Sequence, residues 1–320
     1  MPEDQLRYAH LLELALTSPW AILPEKLTVI ARLLADRAAG IERTPNEIAA
    51  AVADRRPKAP QGTGAIAVMP IYGTIIPRAT LFSSFSGGTS AQEIASGISA
   101  AAANPAISAI VLDIDSPGGN TQGITEAAAA IHQATQSKPV YASINGYGTS
   151  AAYWLASQAT ELLGSPSSML GSIGVIAIHE DITAALEQKG ISVQLITAGD
   201  YKHEGMLGPL EGEALAHTQS LIDDVYGVMV ADIARGRGIS KDTVLAQYGQ
   251  GRYFPAREAL GRGMLDGIET LDALLTRLTS RTQGSRTAGR AESEPLVAAL
   301  GERLRVDALA HALGAALRTA

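Results

Sequence analysis

Two short clusters hold the residues whose types and spacing could do chemistry: Asp115-Ser116-Pro117-Gly118-Gly119 and Asn145-Gly146-Tyr147-Gly148-Thr149-Ser150. Each follows an apolar run that reads as a strand and precedes a run with helical periodicity, so each is a strand-to-helix bend. In a parallel sheet such bends gather at the carboxyl ends of the strands, where ligands and catalytic groups collect. Gly118 and Gly119 would let backbone N–H groups face a small cavity. Donors so placed stabilise the oxyanion of a tetrahedral intermediate, by roughly 3 to 4 kcal/mol for one well-placed group. Ser150, where the second bend enters its helix, is the candidate nucleophile. Taken singly, a glycine pair is a tight turn and a serine ahead of a helix is a cap. Their occurrence at two strand ends of one sheet is what points to acyl chemistry.

A serine hydroxyl is a weak nucleophile and needs a base. Lys202, after the apolar stretch SVQLITAG, would serve if a partly apolar cleft or a neighbouring positive charge favoured its neutral form. His203 would need no such shift, and neighbours in an extended segment point to opposite faces, so only one of the two can meet Ser150. His179 with Asp181 would complete a conventional triad. Local sequence leaves these bases open. Asp113 and Asp115 lack a His/Glu cluster at ligand spacing, so a strand-end role is expected of them rather than metal binding. No phosphate loop or dinucleotide fingerprint is present.

The elements that must position these residues follow from periodicity. Strands are predicted at AIAVMPIYGTII, AISAIVLDID and PVYASI, with helices at AQEIASGISAAAA and ITEAAAAIHQAT between them, the arrangement of a parallel sheet with helical crossovers. The class is α/β. Further strands are expected at MLGSIGVIAI and SVQLITA, then a long helix from Glu211 to Gly236 and a turn-rich return. Residues 1–54 read as a helical leader, 55–64 as a linker, 65–279 as the core domain, and 280–320 as a flexible linker with a helical tail.

Composition narrows the function. With 320 residues and 46% hydrophobic content the chain can bury a substantial core, and a formal net charge of -7 lacks the footprint of a nucleic-acid binder. Without cysteine there are no disulfides or thiolate metal sites. The first ten residues lack the basic region of a secretory signal, and the longest apolar stretches are too short to cross a bilayer. A cytoplasmic protein without a membrane anchor is expected.

In their order, IAVMPIYGTI, IVLDIDSPGG, NGYGTSAAYWLAS, GSIGVI and GRYFPAREALGRGMLDGI resemble the Ser-Lys peptidases that include signal peptide peptidase A and the lambda-type phage capsid (prohead) proteases. The resemblance implies a Clp/crotonase-like fold of repeated β-β-α units and a serine endopeptidase without metal or cofactor. It implies Ser150 as nucleophile, Lys202 as general base, Gly118 and Gly119 as the oxyanion region and Ser172 as the hydroxyl that orients the lysine. It also implies a homo-oligomeric ring acting on protein substrates. The leader SPWAILPEKLTVIARLLA is similar to the N-terminal segment of phage head proteases, which favours cleavage of scaffold, portal or capsid proteins in the host cytoplasm or inside the prohead. A host signal-peptide-peptidase-like enzyme and a crotonase-fold acyl-CoA enzyme are the alternatives.

Overall fold

The computed structural model describes residues 18–30, 65–78 and 88–280. Two sheets organise it. The larger has seven strands and is built on β2 (Ile66–Tyr72), β5 (Ala109–Ser116) and β7 (Val140–Thr149), which pair in parallel. Beyond β7 lie β8 (Glu161–Gly164) and β9 (Met169–Gly171), each parallel to a different half of it, and then β10 (Tyr253–Pro255), antiparallel to β9, and β11 (Gly267–Ile268), parallel to β8. The smaller sheet has four strands, in the order β1 (Trp20–Ile22), β6 (Gly118–Asn120), β3 (Ile75–Ile76) and β4 (Thr89–Ser90).

β5 reads AIVLDIDS and is buried at all but one position, as a strand covered on both faces must be. Against it pack α1 (Ala91–Ala103), through Ile94, Ile98 and Ala101, and α2 (Ile124–Ala134), through Ile124, Ala127, Ala128 and Ile131. Ser90 caps α1 by accepting from the Glu93 N–H, satisfying one of the donors that a helix start leaves unpaired. Only Pro117 separates β5 from β6, so the chain leaves the large sheet and enters the small one within one residue. This run, β5, β6 and α2, is one β-β-α unit of the kind the resemblance implies in repeated form.

Two expectations are corrected. Residues 20–22, in the stretch read as a helical leader, form a strand, and the next described residues, 24–30, are helical, opened by Pro24, whose missing N–H costs nothing at a helix start. Trp20, Ala21 and Ile22 are each buried because β6 offers them an edge, a tertiary partner that local periodicity does not reveal. The rest of the leader, the linker and the tail beyond 280 lie outside the described residues. SVQLITA is not a strand: residues 191–198 are exposed throughout and have no partner strand among the described residues. The long helix, α5 (Gly212–Arg237), falls within one residue of its expected ends.

Candidate active site

Ser150 stands between β7 and α3 (Ala151–Ala156), with φ 58° and ψ −119°. That conformation is uncommon for a residue with a Cβ and costs on the order of 1 to 3 kcal/mol, so its surroundings must impose it. They do so from both sides. The Ser150 N–H donates to Gly171 O at 2.6 Å, and Ser150 O accepts from the Trp154 N–H at 2.9 Å. All six residues of α3 are buried, with Trp154 Nε1 donating to Asp232 Oδ2 on α5 at 2.9 Å and Tyr153 Oη donating to Met264 O at 2.9 Å. The hydroxyl does not cap its own helix; its one hydrogen bond is a long one, 3.5 Å, to Gly174 O. The serine is thus held in a strained bend with its hydroxyl uncommitted to capping.

Gly118 is its immediate neighbour. Its φ is +99°, and a Cβ built there would lie 3.0 Å from Ser150 Cβ and 2.3 Å from Ala21 O. A Cβ on Gly119 would sit 1.9 Å from Ile75 O. Glycine is therefore required at both positions by close backbone approach, and at Gly118 also by the dihedral. The Gly118 N–H donates to Ser116 Oγ at 3.2 Å, and that hydroxyl in turn donates to Gly73 O at 2.6 Å. Ser172, buried with φ 54°, follows Gly171, the residue that receives the Ser150 N–H, and is fixed by its own N–H to Arg252 O at 2.7 Å. Ser150, Gly118 and the Gly171-Ser172 pair thus come together.

Lys202 lies elsewhere in character. It is exposed, in a turn in which its N–H donates to Gly199 O at 3.2 Å, and the structure records no hydrogen bond from its ammonium to Ser150 or Ser172. The segment carrying it includes α4 (Thr183–Gln188), which has no buried residue. His203 is exposed as well, and His179 bonds Gly208 O at 2.8 Å through Nε2 rather than forming a triad.

The acids at the end of β5 have a role that the spacing alone did not specify. Between Ile144 and Gly148, three residues of β7 stand opposite the single Asp115 of β5. Asp115 Oδ1 accepts the Tyr147 N–H at 2.8 Å, and a Cβ on Gly146 would fall 2.2 Å from the same oxygen. Asp113 accepts from Tyr72 Oη on one oxygen and from Asn145 Nδ2 on the other. Burial, reinforced by the bond to Asp113 and the charges of Asp113 and Asp115, pushes the Tyr72 phenol well above its ordinary pKa, so it remains a donor. The two aspartates brace the bulge that leads into Ser150. Aspartates at alternate positions of a strand end, facing an Asn-Gly in the adjacent strand, were the available signal.

Capsid assembly protease C of Escherichia phage lambda is 29% identical over an alignment of 293 residues that covers 83% of this chain and 66% of that protein. The family model described as peptidase family S49 matches residues 132–284, a range that takes in Ser150, Ser172 and Lys202 and begins beyond Gly118-Gly119. Over residues 132–284 the chain is thus similar to peptidase family S49. The head-tail preconnector protein GP5 of Enterobacteria phage P21 is 31% identical over 68% of this chain and 44% of its own length, and protease 4 of Salmonella typhi 27% identical over 67% and 34%. The chain therefore spans only part of each of these relatives. Among solved structures, a variant of the 1510-N membrane-bound stomatin-specific protease with a substrate peptide aligns at 15% identity and a TM-score of 0.40, over 68% of this chain and 80% of that one. A ClpP1 variant from Listeria monocytogenes aligns at 16% identity and a TM-score of 0.40, over 66% and 94%. Among the described residues no helix is long and apolar enough to cross a membrane.

Proposed function

We propose that the chain is a serine endopeptidase whose nucleophile is Ser150, whose general base is Lys202, and whose substrates are proteins of phage head assembly. The observation that carries the reading is Ser150 itself, in a strained bend against Gly118 with its hydroxyl uncommitted to helix capping. In the proposed reaction neutral Lys202 removes the Ser150 proton as Oγ attacks the peptide carbonyl. The carbonyl oxygen becomes an oxyanion held by the amides around Gly118 and Gly119, the amine leaves with the proton, and water then hydrolyses the acyl-enzyme. Ser172 would orient the lysine. The likeness to capsid assembly protease C and to the P21 preconnector supports the head-assembly substrate class, with scaffold, portal or capsid proteins as the expected targets.

A lysine serves as a base near neutral pH only where it is partly desolvated. Its segment is exposed in the single chain, and Ile191, Val193, Leu195 and Ile196 lie in the open beside it, Ile196 at 90%. Burial of that segment against a second copy would provide the apolar surroundings the base needs, which ties the catalytic reading to a homo-oligomer.

The test is digestion of a denatured protein and of a phage scaffold protein by the purified chain beside Ser150→Ala, Lys202→Ala and Lys202→Arg, read by mass spectrometry. All three variants should be inactive, the last because guanidinium does not release its proton near neutral pH. Full activity of Lys202→Arg would remove lysine from the mechanism, and cleavage by Ser150→Ala would remove the serine.

A further inference from the structure

β1 lies along β6, with Ala21 and Ser150 both against Gly118. It runs antiparallel to β6, with Trp20 opposite Asn120, Ala21 opposite Gly119 and Ile22 opposite Gly118. Outside the three paired residues the ladder continues, with the Leu23 N–H donating to Pro117 O at 3.0 Å and the Thr121 N–H to Pro19 O at 3.2 Å. On its other edge Trp20 exchanges both backbone bonds with Ile176, each 2.8 Å long, so β1 is clamped between the Gly118–Asn120 strand and the chain that follows Ser172. Bonds across an antiparallel pair alternate, so those at residues 19 and 23 make Ala21 and Gly119 the mutually bonded pair between them. Ala21 O lies 2.3 Å, and Ser150 Cβ 3.0 Å, from the point a Gly118 Cβ would occupy. With β1 in place Ser150, Ala21, Gly119 and Asn120 have no more than trace exposure, and Ser150 is at 0%. A nucleophile sealed in this way reaches no polypeptide.

We infer that the groove between β6 and residues 174–178 is a peptide-binding site, and that residues 18–23 of this chain are its resident occupant, held as a substrate-like strand that an incoming polypeptide must displace. The inference rests on Ser150 being the nucleophile. Backbone pairing makes the groove tolerant of sequence, while side-chain alternation sets the preference: Ala21 enters the main core beside the site, and Trp20 and Ile22 turn the other way, onto Leu27 and Ile176. The preferred ligand is an extended polypeptide with a small residue at the inward position and large apolar residues on either side. Displacement is opposed by the burial of Trp20, Ile22, Leu23 and Leu27, so the free enzyme is self-blocked and its turnover is limited by strap release.

The chain has no cysteine, which makes a reversible lock clean. Trp20 and Asn120 form a pair without mutual backbone bonds, whose Cα atoms typically stand about 4.5 Å apart, within disulfide reach. The full chain carrying Trp20→Cys and Asn120→Cys should hydrolyse a quenched peptide at least about tenfold more slowly when oxidised, with recovery on adding dithiothreitol; equal rates in the two states would overturn the proposal. Trp20→Ala should cleave faster than the parent chain, and a slower rate would mark β1 as a fixed part of the scaffold. A readout free of hydrolysis separates this from the peptidase reading. In full-length Ser150→Ala, reduced casein should speed hydrogen exchange over residues 18–23, and unchanged exchange would sink the strap even if the parent chain proves to be a peptidase.

Discussion

At the scale of the residue, Ser150 and Gly118 constrain each other. Gly118→Ala would drive a Cβ toward Ala21 O at 2.3 Å, Ser150 Cβ and Thr149 O while also straining a φ of +99°, so we expect a loss on the order of 3 kcal/mol in urea unfolding and no detectable hydrolysis. Thr149 carries the opposite expectation. Its hydroxyl is buried without a hydrogen-bond partner, one residue before the proposed nucleophile. Thr149→Val keeps the shape and removes the unpaired oxygen, and a buried orphan hydroxyl costs about 1 to 3 kcal/mol, so thermal unfolding should move upward rather than downward. A fall in Tm would mean that the hydroxyl has a partner in the working enzyme.

At the scale of the element, α3 is the support for the strained serine. A helix apolar on all sides must be buried, and its two large residues are fixed by one bond each, Tyr153 to Met264 O and Trp154 to Asp232. A second link joins the end of α5 to the strand region: Arg237 bonds both oxygens of Asp266, one of which also accepts the Leu162 N–H. Burial raises the Asp266 pKa, but the Arg237 and Leu162 bonds outweigh it and hold the carboxyl below its ordinary value. A lowered folded-state pKa gives a contribution that is complete above the unfolded value, near 4, and is lost as pH falls through the folded one. Denaturation midpoints measured from pH 6 down to pH 2 should therefore fall less steeply for Asp266→Asn than for the parent chain.

Elements also mark the limit of what the sequence disclosed. The α/β class, the bends at Gly118-Gly119 and Ser150, and the ends of α5 were legible because periodicity and glycine placement are local signals. The strand at 20–22 was not, since Trp-Ala-Ile takes its conformation from β6, about a hundred residues away, and a proline on either side reads as helix interruption. SVQLITA failed for the converse reason: alternation gives a strand only where an edge is available, and the described residues offer it none. The Asp113 and Asp115 braces depend on a bulge whose register no local pattern encodes.

At the scale of the whole molecule, the exposed segment around Lys202 and the open apolar residues Val193 and Ile196 point to a face that a second copy would cover. Val193→Glu with Ile196→Glu should shift the chain toward monomer in light scattering and lower hydrolysis with it. An unchanged mass would place the contact elsewhere. The long helix bears on the same question. No side chain of α5 is buried before Met229, and the helix then runs on into the core through Val230, Asp232, Ile233 and Ala234. One continuous helix is thus anchored in the core from Tyr226 onward, while its exposed start carries the Glu213 Oε1 bond from Tyr201 Oη, with about 14 residues, or some 21 Å, ahead of its anchor. Its amides form a built-in gauge. In dilute chain, proton exchange should slow steadily from Leu215 toward Ile233, and the point along the helix at which protection begins should migrate toward Gly212 as concentration rises, which would chart the growth of the contact residue by residue.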